Sequence, residues 1–210
     1  MDLLNNKHMI KLTSILTEIG ERVEGNFICD ISPTNYTIHQ NLAKIKNLQV
    51  LSRGKTKICE IGVNAGHSLL IMLLENPTAH YLLFDLNNHR YTVPCLNYLK
   101  ESFPSATLNL IVGDSVKTVP QYLCDFPDEL HTFDLCHIDG GHTLDVFPHD
   151  YDNSKRFMIS GESVIFDDFD YPDIRHFLMD EMRKGNIISD QNPALLPTTL
   201  QLIYINTHSP

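Results

Sequence analysis

Positive charge is scarce in this chain. Sixteen lysines and arginines face 26 aspartates and glutamates, for a formal charge of −10 at pH 7, and no basic run is longer than a pair. Phosphate-backbone binding needs a positive face, so no nucleic-acid partner is expected. Apolar runs long enough to cross a bilayer are missing too, and no membrane partner is expected. The start, MDLLNNKHMIKL, carries acid early and has no signal-peptide core, which leads us to expect a cytoplasmic protein. The five cysteines are an odd number without C-x-x-C spacing. Cys59 and Cys136 lie inside apolar runs, where a thiol acts as a small buried hydrophobe, and a reducing compartment follows. Internal repeats, low-complexity tracts and the G-x-G-x-x-G dinucleotide fingerprint are all lacking.

What is present is an alternation. Apolar residues make up 42% and charged residues 20% of the 210, the balance of one folded domain of ordinary size. Short continuous apolar runs occur at 57–62, 80–85, 107–113, 133–139 and 162–168, with helical stretches at 67–76, 90–103, 115–126 and 143–159 between them. Unbroken apolar strands imply a sheet covered on both faces, and strand–helix alternation implies parallel βαβ units. Two helices at 6–24 and 36–52 precede the first strand. A helix at 174–185, an irregular connection and a strand with period-two character at 199–206 end the chain. The expected fold is α/β, Rossmann-like and doubly wound, a mostly parallel sheet of about seven strands. Residues 1–54 form an N-terminal helical extension suited to lid, substrate or homodimer contacts, and residues 55–210 form the ligand-binding domain.

Ligands of open α/β sheets bind at the carboxyl ends of the strands. Here these ends are Glu60 with Gly62, Asp85, Gly113-Asp114-Ser115, Asp139 with His142, and Asp167-Asp168. Each of the first five strands thus ends in a carboxylate. In EIGVNAGHS, Gly62 and Gly66 permit a tight turn and close backbone approach, and Asn64 tolerates a left-handed conformation; a plain strand-to-helix turn would look similar. Asp85 stands about where a Rossmann-like domain places its ribose-binding acid, ready to accept from two adjacent hydroxyls. Asp114 stands where an adenine amino group would be met. Together these describe an adenosine site without a pyrophosphate grip.

On these residues the sequence resembles class I S-adenosylmethionine-dependent methyltransferases over about residues 55–170. EIGVNAGHS, FD at 84–85, GDS at 113–115, FDLCHIDGGHT and SVIFDDFD match that family's successive motifs, although E-x-G-x-G-x-G becomes E-I-G-V-N-A-G. IDGGH with FDD is similar to metal-dependent O-methyltransferases that include macrolide-sugar methyltransferases. The resemblance implies S-adenosylmethionine as cofactor, with Glu60, Gly62 and Gly66 on its methionine and ribose side, Asp85 on the ribose and Asp114 on the adenine. Asn64, Ser68 and Ser115 complete these cofactor motifs.

Asp139, Asp167 and Asp168 end two strands expected to be neighbours. Three converging carboxylates with no lysine or arginine nearby in sequence would repel, and a hard divalent cation such as Mg²⁺ would relieve that; helix-capping acids are the bland alternative. His142, across two glycines from Asp139, is placed to accept a proton from a substrate hydroxyl, with metal ligand and structural residue as other readings. His67 is placed to touch the cofactor, His137 to fill the core or an interface, and Tyr36 to serve in a lid or a turn. His149, Asp150 and Asp152 read as a solvated helix face or distant support for a metal, and Asp170 as an extra ligand candidate. The expected activity is methyl transfer to a hydroxyl of a small molecule or sugar. A nicotinamide-dependent oxidoreductase and a non-catalytic adenosine-binding domain are the rivals.

Overall fold

The computed structural model describes residue 3, residues 5–24 and residues 35–207, apart from the side chains of 35–40. Its strands are β1 (Lys57–Ile61), β2 (His80–Asp85), β3 (Thr107–Val112), β4 (Leu135–Ile138), β5 (Ser163–Phe166), β6 (Ile188–Ser189) and β7 (Leu202–Ile205). They form one sheet of order β3-β2-β1-β4-β5-β7-β6. The first five are mutually parallel, and β7 runs antiparallel to β5 and β6. This is the expected Rossmann-like, mostly parallel, doubly wound sheet. Strand order reverses between β1 and β4, so a crevice opens at their carboxyl ends.

Both faces are covered, which is why β4 and β5 are buried at every position. Helices α1 (Lys7–Ile19), α2 (Asn35–Ser52), α3 (His67–Glu75) and α4 (Thr92–Ser102) pack on one face. Helices α5 (Ser115–Asp125), α6 (Phe147–Phe157) and α7 (Pro172–Arg183) pack on the other. In β7, Ile203 joins the first core and Tyr204 the second. The expected period-two strand is therefore buried on both sides, and only four residues long. The short β6 was not anticipated, because two residues carry no readable period.

Helix α1 starts where Asn6 accepts the His8 amide at 2.9 Å and stops at Gly20, whose φ of 66° no longer continues a helix. It ends short of the expected residue 24. Met9, Leu12 and Leu16 repeat at three- and four-residue steps and are buried in one cluster with Leu48 of α2 and Leu70 of α3. Cutting the fully buried Leu12 to Ala would cost about 2–5 kcal/mol. The N-terminal helices are thus part of the main core. The expected loop between them, at 25–34, lies outside the described residues, as does the Tyr36 side chain. No helix among the described residues is long and apolar enough to cross a membrane.

Candidate active site

A cleft of about 500 Å³ lies at the carboxyl ends of β1–β5, a size suited to a small ligand. Gly62, Asn64, Asp85, Asp114 and Ser115 line one side of it, and Asp139, His142 and Asp168 line the other. Lys44 from α2 reaches it as well.

The loop after β1 is set by left-handed residues: Gly62 at φ 89°, Asn64 at 51° and Gly66 at 76°. Asn64 takes the conformation expected of it. Asp85 holds this loop, its Oδ2 accepting the Val63 and Asn64 amides at 2.9 and 2.8 Å while Oδ1 accepts the Asn87 amide at 2.6 Å. A carboxylate offers about four acceptor positions, and three of those on Asp85 are taken by the loop. Asp114 caps α5 by accepting the Val116 amide at 3.1 Å, and it still faces the cleft.

Three residues of the loop motif do not line the cleft. A Cβ on Gly66 would stand 2.9 Å from Leu99 Cδ1, so this glycine leaves room for a side chain of α4. Glu60 and Ser68 are buried, with the Ser68 hydroxyl donating to Glu60 Oε1 at 2.5 Å. The same Oε1 lies 2.9 Å from His137 Nδ1, and His137 Nε2 lies 3.6 Å from Asp167 Oδ2. A row of buried polar side chains therefore runs from α3 through β1 and β4 to Asp167, just after β5. Burial opposes the charged form of His137, but the neighbouring carboxylates of Asp167 and Glu60 outweigh it and raise the imidazole pKa to about 10.

The premise that the aspartates lack a nearby cation fails in three dimensions. Lys44 Nζ lies 2.7 Å from Asp167 Oδ2, with both side chains almost wholly buried. Burial disfavours the ammonium, but Asp167, Asp139 and Asp168 overcome it and hold the Lys44 pKa above the ordinary lysine range. Asp167 is correspondingly lowered, Lys44 and His137 outweighing its burial. Asp139 is pushed up to about 7 by burial and then by the charge of Asp167. Asp167 lies off the cleft lining, while Asp139 and Asp168 face it. Asp139, His142 and Asp168 bring donor atoms within 4.8 Å of one another, as do His137, Asp139 and Asp167.

Asp168 adopts φ 57°, a left-handed conformation that aspartate tolerates better than most residues. Its Oδ2 lies 2.6 Å from His142 Nε2, and this hydrogen bond raises the His142 pKa against partial burial. Tyr171, which sequence reasoning missed, lies with its ring centroid 4.6 Å from that of His142 and lines the cleft. Glu24, Asn88 and His89 also line it without a readable motif. The Asn64 amide group donates to the Glu24 carbonyl at 2.8 Å, which ties the N-terminal segment to the loop.

The remaining candidates separate. His137 is a core residue. His67 lies off the cleft lining, and burial lowers its pKa to about 4. Asp152 pairs with Lys155 at the surface, and His149 and Asp170 are exposed. Asp150 departs from the expected solvated face: it is fully buried, its Oδ2 2.8 Å from where a Cβ on Gly140 would lie.

A sheet of this order, with an acid-lined cleft at its switch point, defines a Rossmann-like methyltransferase fold. The chain belongs to the methyltransferase domain family, whose model matches residues 59–169, just over half its length. An O-methyltransferase from Bacillus cereus, solved in complex with SAH, superposes with a TM-score of 0.68 at 12% identity over 96% of this chain and 91% of that one. Cofactor-bound Rv0187 from MTB gives 0.67 at 13% identity over 97% and 92%. A methyltransferase from Geobacter sulfurreducens gives 0.58 at 13% identity over 97% and 89%. At these identities the likeness is one of fold. No curated protein sequence matches the chain.

Proposed function

We propose that the protein transfers a methyl group from S-adenosylmethionine to a hydroxyl oxygen of a small molecule or sugar. The observation that carries this reading is the contact of His142 with Asp168, 2.6 Å apart, in the same cleft as the Asp85-braced loop. An imidazole beside a binding loop has a task in hydroxyl activation that an adenosine-binding module would not require. A hydrogen bond from imidazole to carboxylate orients the ring, and the neutral imidazole accepts the acceptor's proton. S-adenosylmethionine supplies an electrophilic sulfonium methyl. Bound in the cleft, it would give that methyl to the acceptor oxygen, with the electron pair of the broken carbon–sulfur bond left on sulfur.

Asp114 and Ser115 would hold the adenine end and Asp85 the ribose, and Gly62 lets the backbone approach closely. Asp139 and Asp168, with His142 beside them, fit a hard divalent cation such as Mg²⁺, since two carboxylates plus water are a common set for it. Such a cation would lower the pKa of a bound hydroxyl. The sugar-directed part of the reading rests on the likeness of IDGGH and FDD to macrolide-sugar methyltransferases.

The test is calorimetric titration with S-adenosylhomocysteine and, separately, NAD, followed by an acceptor screen read by methyl transfer. Micromolar binding of S-adenosylhomocysteine without NAD is expected. Binding of NAD alone would favour the rival oxidoreductase instead.

A further inference from the structure

We propose that Lys44 is the resident counter-cation of the aspartate cluster, committing Asp167 to itself and keeping the affinity of Asp139 and Asp168 for a divalent cation low. This rests on reading the cleft as a methyl-transfer site. It assigns a positioning role to the N-terminal helix α2, which brings to that site the only lysine or arginine among the described residues lining the cleft.

The geometry is that of a built contact. Lys44 Nζ is 2.7 Å from Asp167 Oδ2, with 3% and 1% of the two side chains exposed. The other oxygen of Asp167 accepts the Asp168 amide at 3.1 Å. His137 stands on the far side, 3.6 Å from the oxygen that Lys44 holds. Both carboxylate oxygens are therefore engaged. Magnesium binds carboxylate oxygens at about 2.0–2.1 Å. To recruit Asp167 it would have to displace this buried ammonium. Even without displacement, an ammonium and a divalent cation sharing one cluster repel through an interior of effective dielectric about 20. The two cations therefore compete, and the one on the polypeptide is always present. A metal recruited by this enzyme would be held by Asp139 and Asp168, with water or the acceptor hydroxyl filling its remaining positions.

The experiment titrates Mn²⁺ into the full chain and follows free Mn²⁺ by electron paramagnetic resonance, for wild type, Lys44→Met and Lys44→Arg. Parallel calorimetry with S-adenosylhomocysteine in EDTA follows the cofactor site. Wild type and Lys44→Arg are expected to bind Mn²⁺ weakly, in roughly the millimolar range of sites with few charged ligands. Lys44→Met is expected to bind it at least about tenfold more tightly, because a like charge is removed and a third carboxylate released. Micromolar binding by wild type, or no tightening in Lys44→Met, overturns the proposal. Should Lys44→Met fail to fold in EDTA, its melting is followed with Mn²⁺, alongside Lys44→Gln. Rescue by Mn²⁺ supports the competition. Failure of both variants to fold at any Mn²⁺ concentration overturns it, since a metal then cannot take the ammonium's place. Loss of S-adenosylhomocysteine binding in wild type would remove the methyltransferase reading instead and leave the Mn²⁺ comparison standing.

Discussion

A methyl group added to Gly62 would stand 1.9 Å from the main-chain carbonyl oxygen of Asp139. The loop after β1 and the acid after β4 therefore touch backbone to backbone, where the Asp139 amide donates to the Ile61 carbonyl at 2.8 Å. Gly62→Ala combines this clash with an unfavourable φ of 89°. Neither partner is a flexible side chain that could swing away. We expect a loss of about 3 kcal/mol or more in chemical denaturation and loss of S-adenosylhomocysteine binding. Gly54→Ala is the control: φ is 74° but nothing lies within 4 Å of the added carbon, so the cost should stay near 1 kcal/mol with ligand binding intact. Equal costs at the two positions would show that backbone strain alone, and not the β1–β4 contact, decides the matter.

Asp85 should act on the cofactor mainly through the loop it braces. In Asp85→Asn, one terminal atom becomes a donor. Whichever way the amide turns, it faces a backbone N–H with an NH₂, at Asn87 or at the Val63 and Asn64 pair. We expect about 1–3 kcal/mol of lost stability and at least about tenfold weaker S-adenosylhomocysteine binding. Weaker binding with unchanged stability would instead mark Asp85 as a ligand contact only.

His142→Ala removes the proposed proton acceptor from a half-exposed position, so stability should change little. Turnover should fall by about 10²–10⁴-fold, the usual worth of a positioned base, while S-adenosylhomocysteine affinity stays within about twofold. Asp168→Asn leaves the ring in place without its carboxylate partner and should fall less. Single-turnover methyl transfer checks both. His142→Ala within threefold of wild type would dismiss this residue as the base.

The strand ends were legible because unbroken apolar runs of β1–β5 terminate in carboxylates, and a parallel sheet carries such ends to one rim. That placed Asp85, Asp114, Asp139, His142 and Asp168 on the cleft. Membership of a motif did not reveal which atoms turn inward: Glu60 and Ser68 face each other in the interior, and Gly66 accommodates Leu99. Lys44 was invisible for a different reason. Helix α2 buries Asn41, Lys44, Asn47, Gln49 and Ser52 among its apolar residues, so no clean amphipathic stripe marks its inner face. A lysine is buried only when paired, and its partner, Asp167, directly follows β5, far along the chain. The burial of Asp150 is likewise hidden, because it stands in the mostly polar run DYDNSKR.

The burial of Asp150 has a consequence for stability against pH. Neither of its oxygens has a partner of hydrogen-bond geometry. Burial raises its pKa to about 6 from 3.8, although the Ser115 hydroxyl lowers it in part. The folded state therefore binds a proton more readily than the unfolded state between those values. Stability should fall as pH rises through that window and level off above about 6. The two values imply a penalty on the order of 3 kcal/mol at neutral pH. Asp150→Asn abolishes the titration. Its stability relative to wild type should therefore improve by up to that amount between pH 4 and pH 7, measured by urea denaturation at each pH. A relative stability that stays flat across this range would mean that the carboxylate finds a partner or water in solution, and that its burial carries no charge penalty.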